Sequence, residues 1–186
     1  MATRIREGVW PPAYDAEELA NQIRTLVKDQ RIFKSFYQEI ALDIALCQGD
    51  IVEFNSVMPV IDEEGGLAVL DDYHYWMILG NTCDLSRDVD DCRYTHICPL
   101  APIEDDMPED VLVNLKNYRM SRRIYVPDWS GIDKAGFTLD LTLVTSIDKG
   151  CLHSNTRRAA RMGMYAWLLL HSCLVRFLAR DDRRFD

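Results

Sequence analysis

Residues 137–143 read Phe137-Thr138-Leu139-Asp140-Leu141-Thr142-Leu143, and this stretch decides the fold class. Apolar and polar side chains alternate with a period of two, a pattern that an extended strand converts into one apolar and one polar face. The alternation predicts that Phe137, Leu139, Leu141 and Leu143 face a core, with Thr138, Asp140 and Thr142 outward. Upstream, residues 75–80 (YWMILG) form a continuous apolar run of strand length, as expected of a strand buried on both faces. Residues 51–54 (IVEF), extended by 57–61 around Pro59, and residues 94–100 (YTHICPL) read as further strands. Another is expected over 119–126, carrying Arg119, Arg122 and Arg123. Residues 62–72, with Gly65 and Gly66, read as a long hairpin loop, and 81–91 as a polar, turn-rich connection. Residues 104–110 (EDDMPED) read as a solvated acidic loop or helix start.

Helical periods flank the strands. Asp15 stands where an N-cap belongs, with Glu17 and Glu18 in the first turn. Leu19, Ile23, Leu26 and Val27, then Phe33, Phe36, Tyr37, Ile40 and Ile44, predict two helices or one bent helix over 15–46. Ser154 is placed to cap a long helix over 154–180, with Trp167, Leu170, Leu174 and Phe177 along one stripe. Segregated helices and strands argue for an α+β fold. The expectation is one domain over 1–186, with a small antiparallel β-barrel over 49–152 between the helices.

Composition agrees with a single globular domain: 186 residues, 48% hydrophobic and 27% charged. The net charge of −9 argues against general nucleic-acid binding, which draws its affinity from Lys and Arg. From residue 151 onward seven Arg face three Asp, so this segment carries +4 and the first 150 residues −13. Such a tail meets an anionic partner or docks on the acidic body; the second reading is preferred. Residues 1–8 hold two Arg and no apolar stretch of a secretory leader, so the six cysteines are expected as reduced thiols in the cytoplasm. The most apolar run, 162–170, is shorter than the roughly twenty residues a membrane span needs.

Three segments carry a resemblance. Gly49-Asp50-Ile51-Val52 is similar to an opening Gly-Asp-Ile-Val strand. The strand 76–80, followed by a polar turn and Cys98-Pro99-Leu100, is similar to a central strand pair. Residues 139–152 (LDLTLVTSIDKGCL) are similar to a closing strand and turn around an Ile-Asp-Lys step. In this order they resemble the MazF/PemK family, the SH3-like barrels of toxin–antitoxin systems. The resemblance implies an SH3-like barrel and a metal-independent endoribonuclease acting in a toxin–antitoxin or phage-defence setting. It covers about half of the barrel and none of the flanking helices. One departure bears on catalysis: His74-Tyr75 stands where the family usually has an Arg-Pro pair.

Metal-independent RNA cleavage needs a base for the 2′-hydroxyl, an acid for the leaving 5′-oxygen and a cation for the phosphorane. Asp84 or His74 is the candidate base, His96 the acid, and Arg87, Arg119 or Arg122 the cation. Asn81, Thr82 and Cys83 follow a buried strand directly and are expected at an exposed rim, where loops carry function. A nucleophilic Cys83 is disfavoured, since Asp84 beside it opposes thiolate formation. Cys83, Cys92, His96 and Cys98 lack a Cys-x-x-Cys anchor and zinc-like spacing, so no metal or cofactor is expected. Arg157, Arg158 and Arg161, at helical spacing, are candidates for phosphate contact or for pairing with the acidic body. The expected partners are single-stranded RNA, a protein such as an antitoxin or assembly subunit, and a second copy of the chain. The competing reading is a barrel without catalysis that binds a protein or nucleotide; a sensor built on the 81–88 loop is a third.

Overall fold

A computed structural model of the protein describes residues 16–28, 31–39, 45–129, 131 and 135–178. In chain order the elements are α1 (Ala16–Lys28), α2 (Arg31–Lys34), β1 (Asp50–Ile61), β2 (Leu67–Ile78), α3 (Thr82–Leu85) and β3 (Tyr94–Pro102). Then come α4 (Glu109–Lys116), β4 (Arg123–Val126), β5 (Phe137–Asp140), a 3-10 turn (Leu141–Leu143), β6 (Thr145–Asp148), α5 (Lys149–Asn155), β7 (Arg157–Arg161) and α6 (Met164–Leu178). All strand pairs are antiparallel, in the order β4-β5-β3-β2-β1-β7. Strand β6 lies in line with β5 along the same side of β3: Leu100 opposes Leu139, and Ile97 opposes Thr145.

The centre of the sheet is buried on both faces, as the run at 75–80 predicts. Ile51, Met77 and Cys98 enter one core with Leu139, Tyr118 and the inner faces of α1 and α6. Val52, Trp76, Ile78 and Ile97 enter a second core with Leu85 and Leu152. Phe137, Leu139 and Leu141 are buried as the alternation requires, although the strand ends at Asp140 and Leu141–Leu143 form the 3-10 turn.

Several expectations are corrected. The sheet is not closed into a barrel: among the described residues β4 and β7 remain its two edges. Across that gap runs a short extended segment. Tyr37 bridges Met162, and its hydroxyl donates to the carbonyl of Pro127, just beyond β4. The second N-terminal helix is a single turn, because the chain is already extended at Tyr37; Ile40 and Ile44 lie outside the described residues. The 62–72 loop is a tight turn over 62–66, where Asp62 accepts bonds from the amides of Glu64 and Gly66, and β2 starts at Leu67. The strand expected over 119–126 is confined to Arg123–Val126, because residues 117–122 link α4 to it, with Tyr118 in the left-handed region at φ 55°.

The largest correction is at the C-terminus. In place of one helix over 154–180 stand α5, β7 and α6, because Arg157–Arg161 pairs with β1. Gly163 makes the turn into α6: a Cβ there would lie 2.3 Å from the Ser35 carbonyl oxygen. No helix among the described residues is long and apolar enough to cross a membrane.

One ion pair holds this arrangement. Asp50, fully buried at the start of β1, opposes Arg161 directly across the ladder. Arg161 Nε and Nη2 donate to its two oxygens at 2.7 and 2.8 Å, and the Cys47 amide donates at 2.9 Å. Arg158 Nε lies 3.1 Å from Oδ2. Removing one partner of a buried pair strands the others without compensating charge. Asp50→Asn is therefore expected to cost about 3–5 kcal/mol of stability, read from urea denaturation.

All six cysteines are free thiols; Cys98 and Cys173 are buried. Burial pushes the Cys173 thiol up to about 11 and Cys98 higher still. A thiol reagent is expected to find exposed Cys83 first and to miss Cys98 and Cys173 in the native protein. Unfolding should release all six; a lower total would reveal a disulfide.

Candidate functional site

The sequence-selected residues do not gather into one site: Asp84 meets Arg87 in one place, and His74 and Arg157 meet on Glu53 in another. Asp84 sits in the one-turn helix α3, with its carboxylate 3.3 Å from Arg87. Thr82 Oγ1 accepts from the Gln48 amide, and the Asn81 carbonyl accepts from Asp84 and Leu85. Exposed Cys83 offers its carbonyl to Ser86 Oγ. His96 is exposed on β3, and its carbonyl accepts from Leu79 and Gly80 beside this rim. His74 lies elsewhere, four residues back from the end of β2 at Ile78, about 13 Å along the strand. Arg119 contacts Asn114, and the Arg122 carbonyl accepts from the Leu141 amide; both belong to the loop before β4. No group of three or more His, Cys, Asp or Glu among the described residues is placed to hold a metal ion.

The 81–88 rim is held from below by Lys149. Its side chain is fully buried, and Nζ donates to the carbonyls of Asp84 and Arg87 at 2.8 and 2.9 Å, with that of Asp88 at 3.5 Å. Asp148 caps α5 by accepting from the Gly150 amide, which sets Lys149 at the helix start facing inward. The Ile-Asp-Lys step was visible in the sequence; that its lysine turns inward depends on backbone carbonyls no sequence pattern displays.

A different constellation assembles where β7, β1 and β2 meet. Glu53 on β1 stands opposite Arg157 on β7 and opposite Tyr75 on β2. Arg157 donates to the Glu53 carboxylate through Nε at 2.8 Å and through Nη2. His74 Nε2 lies 3.2 Å from the other Glu53 oxygen, and its Nδ1 contacts Asn55 Oδ1. Asn55 falls within a register shift between Glu53 and Ser56, and bulges of this kind re-aim side chains. The Arg157 hydrogen bond, helped by the guanidinium charge, holds the Glu53 carboxyl below its ordinary 4.5, so Glu53 is ionised at neutral pH.

No family model, curated protein or solved structure matches this chain.

Two open depressions flank the cluster, each about 350 Å³. One is lined by Asn55, Ser56, Val57, Tyr73 and His74. The other is lined by Glu53, Phe54, Asn55, Arg157 and the end of α5 at Ser154 and Asn155. Of the three arginines nominated together, Arg158 and Arg161 are turned inward onto Asp50, with side-chain exposures of 12% and 8%. Arg157 is 81% exposed. Sequence reasoning missed Glu53 and Asn55 because their partner strand was read as helix; a glutamate inside a strand between Val52 and Phe54 was the available signal.

Lys149→Met keeps the side-chain length but removes every donor, leaving buried carbonyls unsatisfied. A loss of at least about 2 kcal/mol is expected. Hydrogen exchange of the amides in 81–91 should accelerate more than that of β1 and β2. Uniform acceleration would mean that Lys149 supports the whole fold rather than this rim.

Proposed function

We propose that the protein is a metal-independent endoribonuclease of the MazF/PemK-like kind, acting on single-stranded RNA in the cytoplasm. In this reading the chemistry sits at Glu53, His74 and Arg157 rather than at the 81–88 rim, and the open sheet is an SH3-like barrel unzipped between β4 and β7. The observation that carries it is the meeting of an imidazole, a carboxylate and an exposed guanidinium between two depressions. It also falls at the place where the resemblance leads one to expect an arginine.

The parts match the requirements of phosphodiester cleavage. His74 takes the 2′-hydroxyl proton as the 2′-oxygen forms its bond to phosphorus and the P–O5′ bond breaks. Ionised Glu53, 3.2 Å from Nε2, steadies the imidazolium that results. The same ring returns the proton to the leaving 5′-oxygen, giving a 2′,3′-cyclic phosphate and a free 5′-hydroxyl. Arg157 supplies positive charge to the phosphorane oxygens. With Nε2 facing Glu53, Nδ1 is the nitrogen that takes and returns the proton, and the Asn55 side chain in contact with it turns aside for the 2′-hydroxyl. The alternative, a sheet that binds without cutting, is favoured by a separate observation, the exposed apolar residues of the β1–β2 arm.

Purified protein is expected to cut single-stranded RNA in EDTA and to leave 2′,3′-cyclic ends. His74→Ala and Arg157→Ala should each slow cleavage by roughly a hundredfold or more, while Asp84→Asn leaves it unchanged. Loss on Asp84→Asn with His74→Ala still active would return the chemistry to the 81–88 rim. Absence of cleavage by the unaltered protein would sink the nuclease reading.

A further inference from the structure

Strands β1 and β2 each run for 12 residues, but their neighbours are short. Strand β7 pairs with β1 only from Asp50 to Glu53, and β3 pairs with β2 only from Trp76 to Ile78. Beyond these points β1 and β2 continue as a two-stranded arm, and among the described residues no further strand is paired to it. One face of the arm is covered: Met58 is buried in the second core and Val60 packs against it. The opposite face is apolar and open. Val57 is 42%, Ile61 70%, Leu67 79% and Val69 60% exposed, and Pro59 is exposed among them.

The register makes these residues one surface. Pro59 opposes Val69, and Ile61 opposes Leu67, so four of the side chains form two cross-strand pairs, with Val57 beside them. A contiguous apolar strip on an arm with unpaired strand edges is what soluble proteins ordinarily avoid, unless something binds there. At the tip stand Asp62, Glu63 and Glu64, all exposed. An apolar strip ending in carboxylates is complementary to an extended segment with apolar side chains on one face and Lys or Arg beside the turn.

We propose that the β1–β2 arm docks an extended, basic and apolar segment of another protein, which adds as a strand to the arm and lays its apolar side chains on Val57, Ile61, Leu67 and Val69. Main-chain bonding to the open edge gives affinity, and the acidic tip sets direction and charge preference. This goes beyond the nuclease reading and does not depend on it.

The probes are two labelled synthetic peptides of alternating composition, one of Val and Lys and one of Val and Glu, titrated against the full chain by fluorescence anisotropy. The Val–Lys peptide is expected to bind and the Val–Glu peptide to fail. The double change Ile61→Ser with Leu67→Ser should weaken Val–Lys binding about tenfold or more, since two apolar contacts are lost. Glu63→Lys with Glu64→Lys should weaken Val–Lys and admit Val–Glu; Asp62 is left intact because it closes the turn. All four positions are exposed, and unchanged melting curves would verify that the variants fold. Equal binding of both peptides, failure of Val–Lys to bind, or indifference to Ile61→Ser with Leu67→Ser would overturn the proposal. So would a dimer in sedimentation that the same double change dissolves, because a second copy would then be the occupant.

Discussion

The pairing of Asp50 with Arg161 is the constraint on which the C-terminal half of the molecule depends. A carboxylate with no solvent exposure is costly unless charge and hydrogen bonds surround it, and here two guanidiniums and a backbone amide do so. Satisfying Asp50 seats β7 against β1. With β7 seated, Arg157 comes opposite Glu53, Met162 reaches Tyr37, and α6 begins at Met164 where it can pack against α1. The basic character of the C-terminal segment is thus partly spent inside the protein, which leaves Arg157 as the outward-facing member of its group.

What was legible in the sequence followed from patterns that are local. Alternation at 137–141 and the apolar run at 75–80 identified strands and their buried faces, because each pattern is complete within a few residues. The reading failed where a tertiary partner decides the backbone state. Arg157, Arg158, Ala159, Ala160 and Arg161 have respectable helix propensity and a serine placed to cap them, yet five residues of propensity are outweighed by a ladder to β1 and a buried ion pair. The same error hid the candidate site. His74 and Arg157 stood as separate candidates in the sequence, and Glu53, which joins them, acquires chemical meaning only once β7 lies alongside. Conversely, Asp84 looked catalytic because it follows a buried strand, whereas the structure places Arg87 against its carboxylate and Lys149 beneath its carbonyl.

The cluster and the arm share a geometric origin in the unequal lengths of neighbouring strands. Where β7 stops beside Glu53, the sheet loses a layer of pairing, and the register of β1 against β2 shifts within the next few residues. Polar side chains gather at that step and apolar ones lie beyond it. Function at such a step needs no deep cavity, since the side chains are held by strands rather than by loops.

The 3-10 turn at Leu141–Leu143 has an effect on parity. Along β3 the even positions Cys98 and Leu100 enter the first core, while odd Ile97 enters the second. Leu139 on β5 opposes an even position of β3, whereas Thr145 and Ile147 on β6 oppose odd ones. The turn is an odd insertion, so Leu139 and Leu141 serve one core, whereas Leu143, the last residue of the turn, and Ile147 beyond it serve the other. A single run of alternating residues thereby supplies both faces of the sheet. Deleting one residue from that turn would invert the downstream phase, sending Ile147 to the wrong side and carrying Lys149 away from the carbonyls it now caps.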